Sequence, residues 1–126
     1  MEIKVTASEW YVLECLWEQA PKTLMQLVEE LNNRIGWAKS TCTTTVKRMD
    51  EKGLIRHEVE GRTKLFFPVI EQKDATRKET KDFLQRIYRG SVGMLLNTLA
   101  ETQDLSERDI DDLEAFLNSY KKKRGE

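Results

Sequence analysis

Between residues 8 and 69 the apolar side chains keep a helical period through three segments and then switch once to strand-like runs. That single change of period constrains the fold more than any other feature of the chain. In the first segment Trp10, Leu13, Cys15, Leu16 and Trp17 recur at the spacing of a buried helix face, with Ser8 placed to cap the start and Ala20-Pro21 to end the helix after about Glu18. In the second, Thr23 and Gln26 have capping-box spacing ahead of Leu24, Leu27, Val28 and Leu31, and Asn32-Asn33 with Gly36 close it. The third runs from about Lys39 to Lys52, with Cys42, Thr45, Val46 and Met49 on one side and Gly53 as its C-cap.

The period then changes. Leu54–Val59 and Thr63–Val69 are β-prone runs joined by Glu60-Gly61-Arg62, which predicts a hairpin with glycine at a tight connection. Three helices and a hairpin make a winged helix-turn-helix, assigned to residues 1–71. From Asp74 helical stripes resume: Phe83, Leu84, Ile87 and Tyr88, then Val92, Leu95, Leu96 and Leu99, then a helix capped by Ser106 that carries Ile110, Leu113, Phe116, Leu117 and Tyr120. Residues 72–126 are too few to build a self-sufficient core. Their stripes need cover, from a second copy of the chain or from the winged helix itself. The homodimer is the simpler solution and sets the expectation, with Phe83, Leu84, Ile87, Tyr88, Leu95, Leu96, Leu99, Leu113, Phe116 and Leu117 as its interface. The fold class is therefore mainly α with a small β-hairpin wing, plus a carboxy-terminal helical dimerisation region.

Charge is distributed unevenly. A net charge of −1 argues against a nucleic-acid partner until its placement is considered, because phosphate neutralisation supplies much of the affinity for DNA. Residues 36–67 hold seven basic side chains (Lys39, Lys47, Arg48, Lys52, Arg56, Arg62, Lys64) against four acidic ones, whereas Glu101, Asp104, Glu107, Asp109, Asp111, Asp112 and Glu114 make a negative segment further on. The basic run Lys121–Arg124 reads as a solvated end.

On a wheel of about 100° per residue, burying Cys42, Thr45, Val46 and Met49 leaves Ser40, Thr44 and Lys47 pointing away, flanked by Thr41, Thr43 and Arg48. Small hydroxyl side chains let a helix enter the major groove deeply, and Lys or Arg supply phosphate or guanine contacts. Any amphipathic helix has a polar face, but Thr41, Thr43, Thr44 and Thr45 lower helix propensity without an obvious structural need. The candidate DNA-binding set is therefore Lys39, Ser40, Thr41, Thr43, Thr44, Lys47 and Arg48, joined at the wing tip by Arg62 and Lys64, which could equally guard the hairpin edge.

No catalytic constellation is legible. His57 is the sole histidine and lacks a cysteine or carboxylate at ligand spacing, so it reads as a surface or half-buried strand residue. Cys15 and Cys42 fall on helical apolar stripes and read as buried thiols rather than as a disulfide or metal pair. No metal or cofactor is expected. No stretch approaches the roughly 20 apolar residues of a membrane span, and the opening with Glu2 and Lys4 is unlike a secretory signal. The expectation is a cytoplasmic protein without direct membrane binding.

These residues together resemble the bacterial penicillinase and methicillin-resistance repressors, the BlaI/MecI family. The resemblance is carried by Ser8-Glu9-Trp10 with Val12, Leu13 and Leu16-Trp17; Gly36-Trp37; Thr41 with Thr44, Val46, Arg48 and Met49; Lys52-Gly53-Leu54; and Glu60-Gly61-Arg62 before an aromatic strand ending at Pro68. It implies a dimeric repressor of β-lactam-resistance genes whose amino-terminal part reads palindromic operator half-sites in double-stranded DNA. It also implies inactivation through a membrane sensor-protease pathway that cuts the dimerisation region. The aligned bond falls around Asn97, Thr98 and Leu99, where the family's Asn-aromatic pair is not reproduced. A copper-responsive branch of the family ends in Cys-x-Cys pairs, and Lys121–Glu126 offers none, so direct copper sensing through that tail is not expected. The rival reading from another class is a winged-helix module that binds a protein instead of DNA.

Overall fold

The computed structural model describes residues 4–125, so Glu2, which entered the signal argument, lies outside the described residues. The chain divides into two compact units, Met1–Glu79 and Thr80–Glu126.

The first unit holds α1 (Ala7–Glu18), α2 (Leu24–Ile35), α3 (Lys39–Lys52), β1 (Ile55–Glu60), β2 (Thr63–Pro68) and the start of α4 (Gln72–Tyr88). α1 and α2 begin where side chains replace missing backbone partners. Thr6 caps α1 and forms a capping box with Glu9, so the cap sits two residues before the expected Ser8. Thr23 and Gln26 form the expected box on α2, each side chain accepting from the other's amide at 2.8 and 3.1 Å. Gly36 closes α2 at φ 72°, a backbone state that glycine reaches without steric cost, and so turns the chain sharply into α3.

The core lies among the three helices and the hairpin. Val12, Leu13 and Leu16 from α1 meet Leu27 and Leu31 from α2, Cys42, Val46 and Met49 from α3, and Leu54, Ile55 and Phe66. Trp10 and Trp17, assigned to the buried face, are only half-buried and pack edge to face at 5.2 Å at its margin. The strands pair antiparallel with Glu60 opposite Thr63, leaving a two-residue turn in which Gly61 takes φ 66°. β1 lies one residue later than expected and β2 ends one residue earlier, although the Val69 amide still donates to the Leu54 carbonyl at 2.9 Å in the same register. A further bridge joins Lys22 to Phe66 through bonds of 3.2 and 2.8 Å and fastens the wing to the segment between α1 and α2. The indole of Trp17 donates to the Ile70 carbonyl at 2.9 Å.

The second unit contains the end of α4, then α5 (Val92–Glu101) and α6 (Glu107–Arg124). α4 begins at Gln72 rather than Asp74, since its polar first turn carries no apolar signal in the sequence. Ser91 caps α5, and Ser106 with Asp109 forms the capping box of α6. The basic run Lys121–Arg124 is exposed, as a solvated end should be, but it is the last turn of α6, where cations suit the helix dipole. Among the described residues no helix is long and apolar enough to cross a membrane.

Candidate nucleic-acid interface

The wheel assignment of α3 matches its burial. Cys42, Thr45, Val46 and Met49 are buried, while Lys39, Ser40, Thr41, Thr44, Lys47 and Arg48 are exposed and Thr43 is half-buried. Two of the four threonines have a structural use that composition did not reveal. Thr45 is buried with its hydroxyl donating to the Thr41 carbonyl at 2.8 Å, and Thr43 donates likewise to Lys39. Thr41 and Thr44 remain exposed. The start of α3 carries no acidic residue and no side-chain cap on Ala38, so no side chain there caps its first amides or offsets the positive end of its dipole.

Ion pairing sorts the seven cations of residues 36–67. Lys52 binds the buried Glu9 at 3.0 Å, and Arg56 binds Glu58 at 3.0 Å while its guanidinium lies 4.2 Å over the Phe67 ring. Among the described residues Lys39, Lys47, Arg48, Arg62 and Lys64 form no ion pair, and these are the five assigned to DNA from sequence. Elsewhere in the unit Arg34 is held by Glu18 and Glu30, and Lys22 by Glu30.

α3 and the wing meet around one cleft of about 520 Å³. Thr43 and Lys47 line it from α3, Arg62 and Lys64 from the wing, and Thr23 to Met25 from the start of α2. The two wing cations and Lys47 of the helix therefore share a single concave surface, which Lys39 and Arg48 do not line.

His57 corrects the expectation of no nearby carboxylate: its Nδ1 lies 2.8 Å from Asp50 Oδ2, linking β1 to the last turns of α3, with the ring 5.9 Å from that of Phe66. Glu9 enters the sequence reading only within the family resemblance, and its buried pairing with Lys52 is not anticipated there. Burial works against its ionisation, but hydrogen bonds from the Thr6 amide and Lys52 outweigh burial and hold the carboxyl below its ordinary value of 4.5. Cys15 and Cys42 are free and buried, and burial pushes both thiols up to about 11, with Glu30 adding to the effect at Cys15. Among the described residues no group of three or more His, Cys, Asp or Glu is arranged to hold a metal.

In the second unit no described residue is buried. Leu84, Tyr88, Leu95, Leu96, Leu99 and Leu113 are half-buried, and Phe83, Ile87, Phe116 and Leu117 are exposed, at 38, 53, 60 and 48%. Leu96, Leu99, Leu105 and Leu113 line an open apolar groove of about 330 Å³ between α5 and α6. Asn97, Thr98 and Leu99 lie inside α5, where the Thr98 hydroxyl donates to Met94 at 3.1 Å.

A three-helix core with a strapped hairpin and an outward-facing third helix defines a winged-helix protein. Residues 5–119 match the model of the penicillinase repressor family, and the chain belongs to that family, which is made up of transcriptional repressors and not enzymes. It is 25% identical to the methicillin resistance regulatory protein MecI of Mammaliicoccus sciuri over 91% of this chain and 94% of that one. It is also 25% identical to the penicillinase repressor of Bacillus licheniformis, over 98 and 96%. The solution structure of the DNA-binding domain of the repressor BlaI superposes with a TM-score of 0.52 at 25% identity, covering 59% of this chain and 93% of that one. Monomeric Bacillus licheniformis BlaI in complex with the blaP half-operator gives 0.52 and 25%, covering 57 and 88%.

Proposed function

We propose that this chain is a sequence-specific repressor that binds palindromic operator DNA as a homodimer. Residues 1–71 read one half-site each and residues 72–126 join the two copies. The observation that carries the reading is that Lys39, Lys47, Arg48, Arg62 and Lys64, the unpaired cations of the basic segment, lie on α3 and the wing tip. In this reading Ser40, Thr41, Thr43 and Thr44 approach base edges, Lys39, Lys47 and Arg48 engage phosphates or guanine, and Arg62 and Lys64 hold the neighbouring backbone. Membership in the repressor family and the half-operator complex of its relative support it.

The exposed and half-buried stripe of Phe83, Leu84, Ile87, Tyr88, Leu95, Leu96, Leu99, Leu113, Phe116 and Leu117 is the surface a second copy covers. Cutting around Asn97, Thr98 and Leu99 by a membrane sensor-protease pathway would separate the two half-site readers and remove the affinity gained by bivalent binding. Because those bonds are helical, cleavage requires α5 to unwind first. The site of action is the cytoplasm, on genes of the β-lactam-resistance type.

A gel-shift titration against the DNA upstream of its own reading frame, with a scrambled duplex as competitor and salt varied, tests the proposal. Binding that resists the competitor and falls steeply with salt is expected. Salt-insensitive retention, or loss to the scrambled competitor, would instead favour the protein-binding module.

A further inference from the structure

The cleft between α2, α3 and the wing has a composition that DNA contact alone does not account for. Its apolar lining is Leu24, Val46, Phe66 and Met25; Val46 and Phe66 are core side chains only 2 and 5% exposed, so half-buried Leu24 and Met25, 57% exposed, supply the accessible apolar surface. Its rim is cationic: Lys47, Arg62 and Lys64 converge from two elements without ion pairs among the described residues. Asp50 is the one carboxylate on the lining, and His57 engages it. A sugar-phosphate strand calls for cations and small polar groups, not for an exposed Met25 beside a half-buried Leu24. An apolar body would gain from leaving water there, and Met adapts readily to irregular partners. The volume of about 520 Å³ lies within the range of about 300–1,000 Å³ typical of small-molecule sites.

We propose that this cleft binds a small organic anion with an apolar body, an aromatic carboxylate in chemical class, and that its occupancy and DNA binding exclude each other. The carboxylate sits among Lys47, Arg62 and Lys64, where charge-assisted hydrogen bonds form, and the ring covers Leu24 and Met25. Exclusion follows because Thr43, Lys47, Arg62 and Lys64 then face the ligand instead of the duplex. This second half rests on the DNA-reading assignment above; the binding itself does not.

The test titrates 2-naphthoate into the isotope-labelled full chain while backbone amide shifts are followed, with uncharged 2-naphthamide as control and ionic strength held constant. Saturable shifts are expected at residues 23–25, 43–50 and 62–66. Affinity should fall by about tenfold or more for the amide and for Met25→Asp, an exposed change at the start of α2 where an acidic residue suits the helix dipole. Saturating naphthoate should weaken operator binding by about tenfold or more. No saturable shifts, shifts centred elsewhere, or equal binding of the amide would overturn the site. Naphthoate binding that leaves operator affinity unchanged would overturn the exclusion. Absence of operator binding without naphthoate would overturn the repressor reading and leave the titration to judge the cleft separately.

Discussion

Lys47 and Thr44 stand close together on the outward face of α3 and are assigned different tasks, which mutation separates. Lys47→Ala should weaken binding to all duplexes by a similar factor and reduce the log–log salt slope by about one. Thr44→Ala should change which operator variants are preferred more than it changes overall affinity. Binding titrations over a panel of duplexes at several salt concentrations decide both, and unchanged binding in both variants would refute the docking. Lys52 has a structural role instead. Glu9 keeps its proton less tightly when folded than when unfolded, so its contribution is fully present above about pH 4.5 and disappears as pH falls through the lower folded value. Lys52→Met should therefore cost about 1–2 kcal/mol at pH 7, allowing for the partial exposure of Lys52, and less at pH 3, measured by urea unfolding. Part of this was legible: Glu9 precedes Val12, Leu13 and Leu16 by three, four and seven residues, the spacing of the buried face. Its partner lies 43 residues away and was not.

At the scale of elements, stops and caps carried the most information. Gly36, Gly53, Thr23-Gln26 and Ser106 each stand where the helices change direction, because each resolves an unsatisfied helix end. Thr6 was overlooked although Thr6 and Glu9 have capping-box spacing; Ser8 lay nearer the apolar stripe. The polar start of α4 and the limits of the strands were not legible, since they depend on pairing with the rest of the unit. Gly36→Ala should cost about 1–2 kcal/mol, since φ is 72° and the space around the position is open, leaving backbone conformation as the whole penalty. Thermal unfolding of the variant checks this; no loss of stability would mean that the turn into α3 relaxes freely.

For the whole molecule, the candidate site was legible as positions and not as a network. Alternation around α3 located its outward residues, but only tertiary structure showed that Lys52 and Arg56 are engaged while the other five cations of the segment are not. The apolar stripes of the second unit were legible from their period, and the absence of buried residues among those described there supports assigning them to a partner copy. Phe116→Glu, at a position 60% exposed, should leave helix content unchanged, yield monomers in sedimentation and weaken operator binding. A variant that stays dimeric would refute the interface. The most direct measurement is a fluorescence-anisotropy comparison of the full palindromic operator with a single half-site, across a range of salt. The account predicts two chains per full operator, much tighter binding there than on the half-site, and a steep fall of both affinities with salt. Equal affinity for the two duplexes, or affinity indifferent to salt, would contradict it.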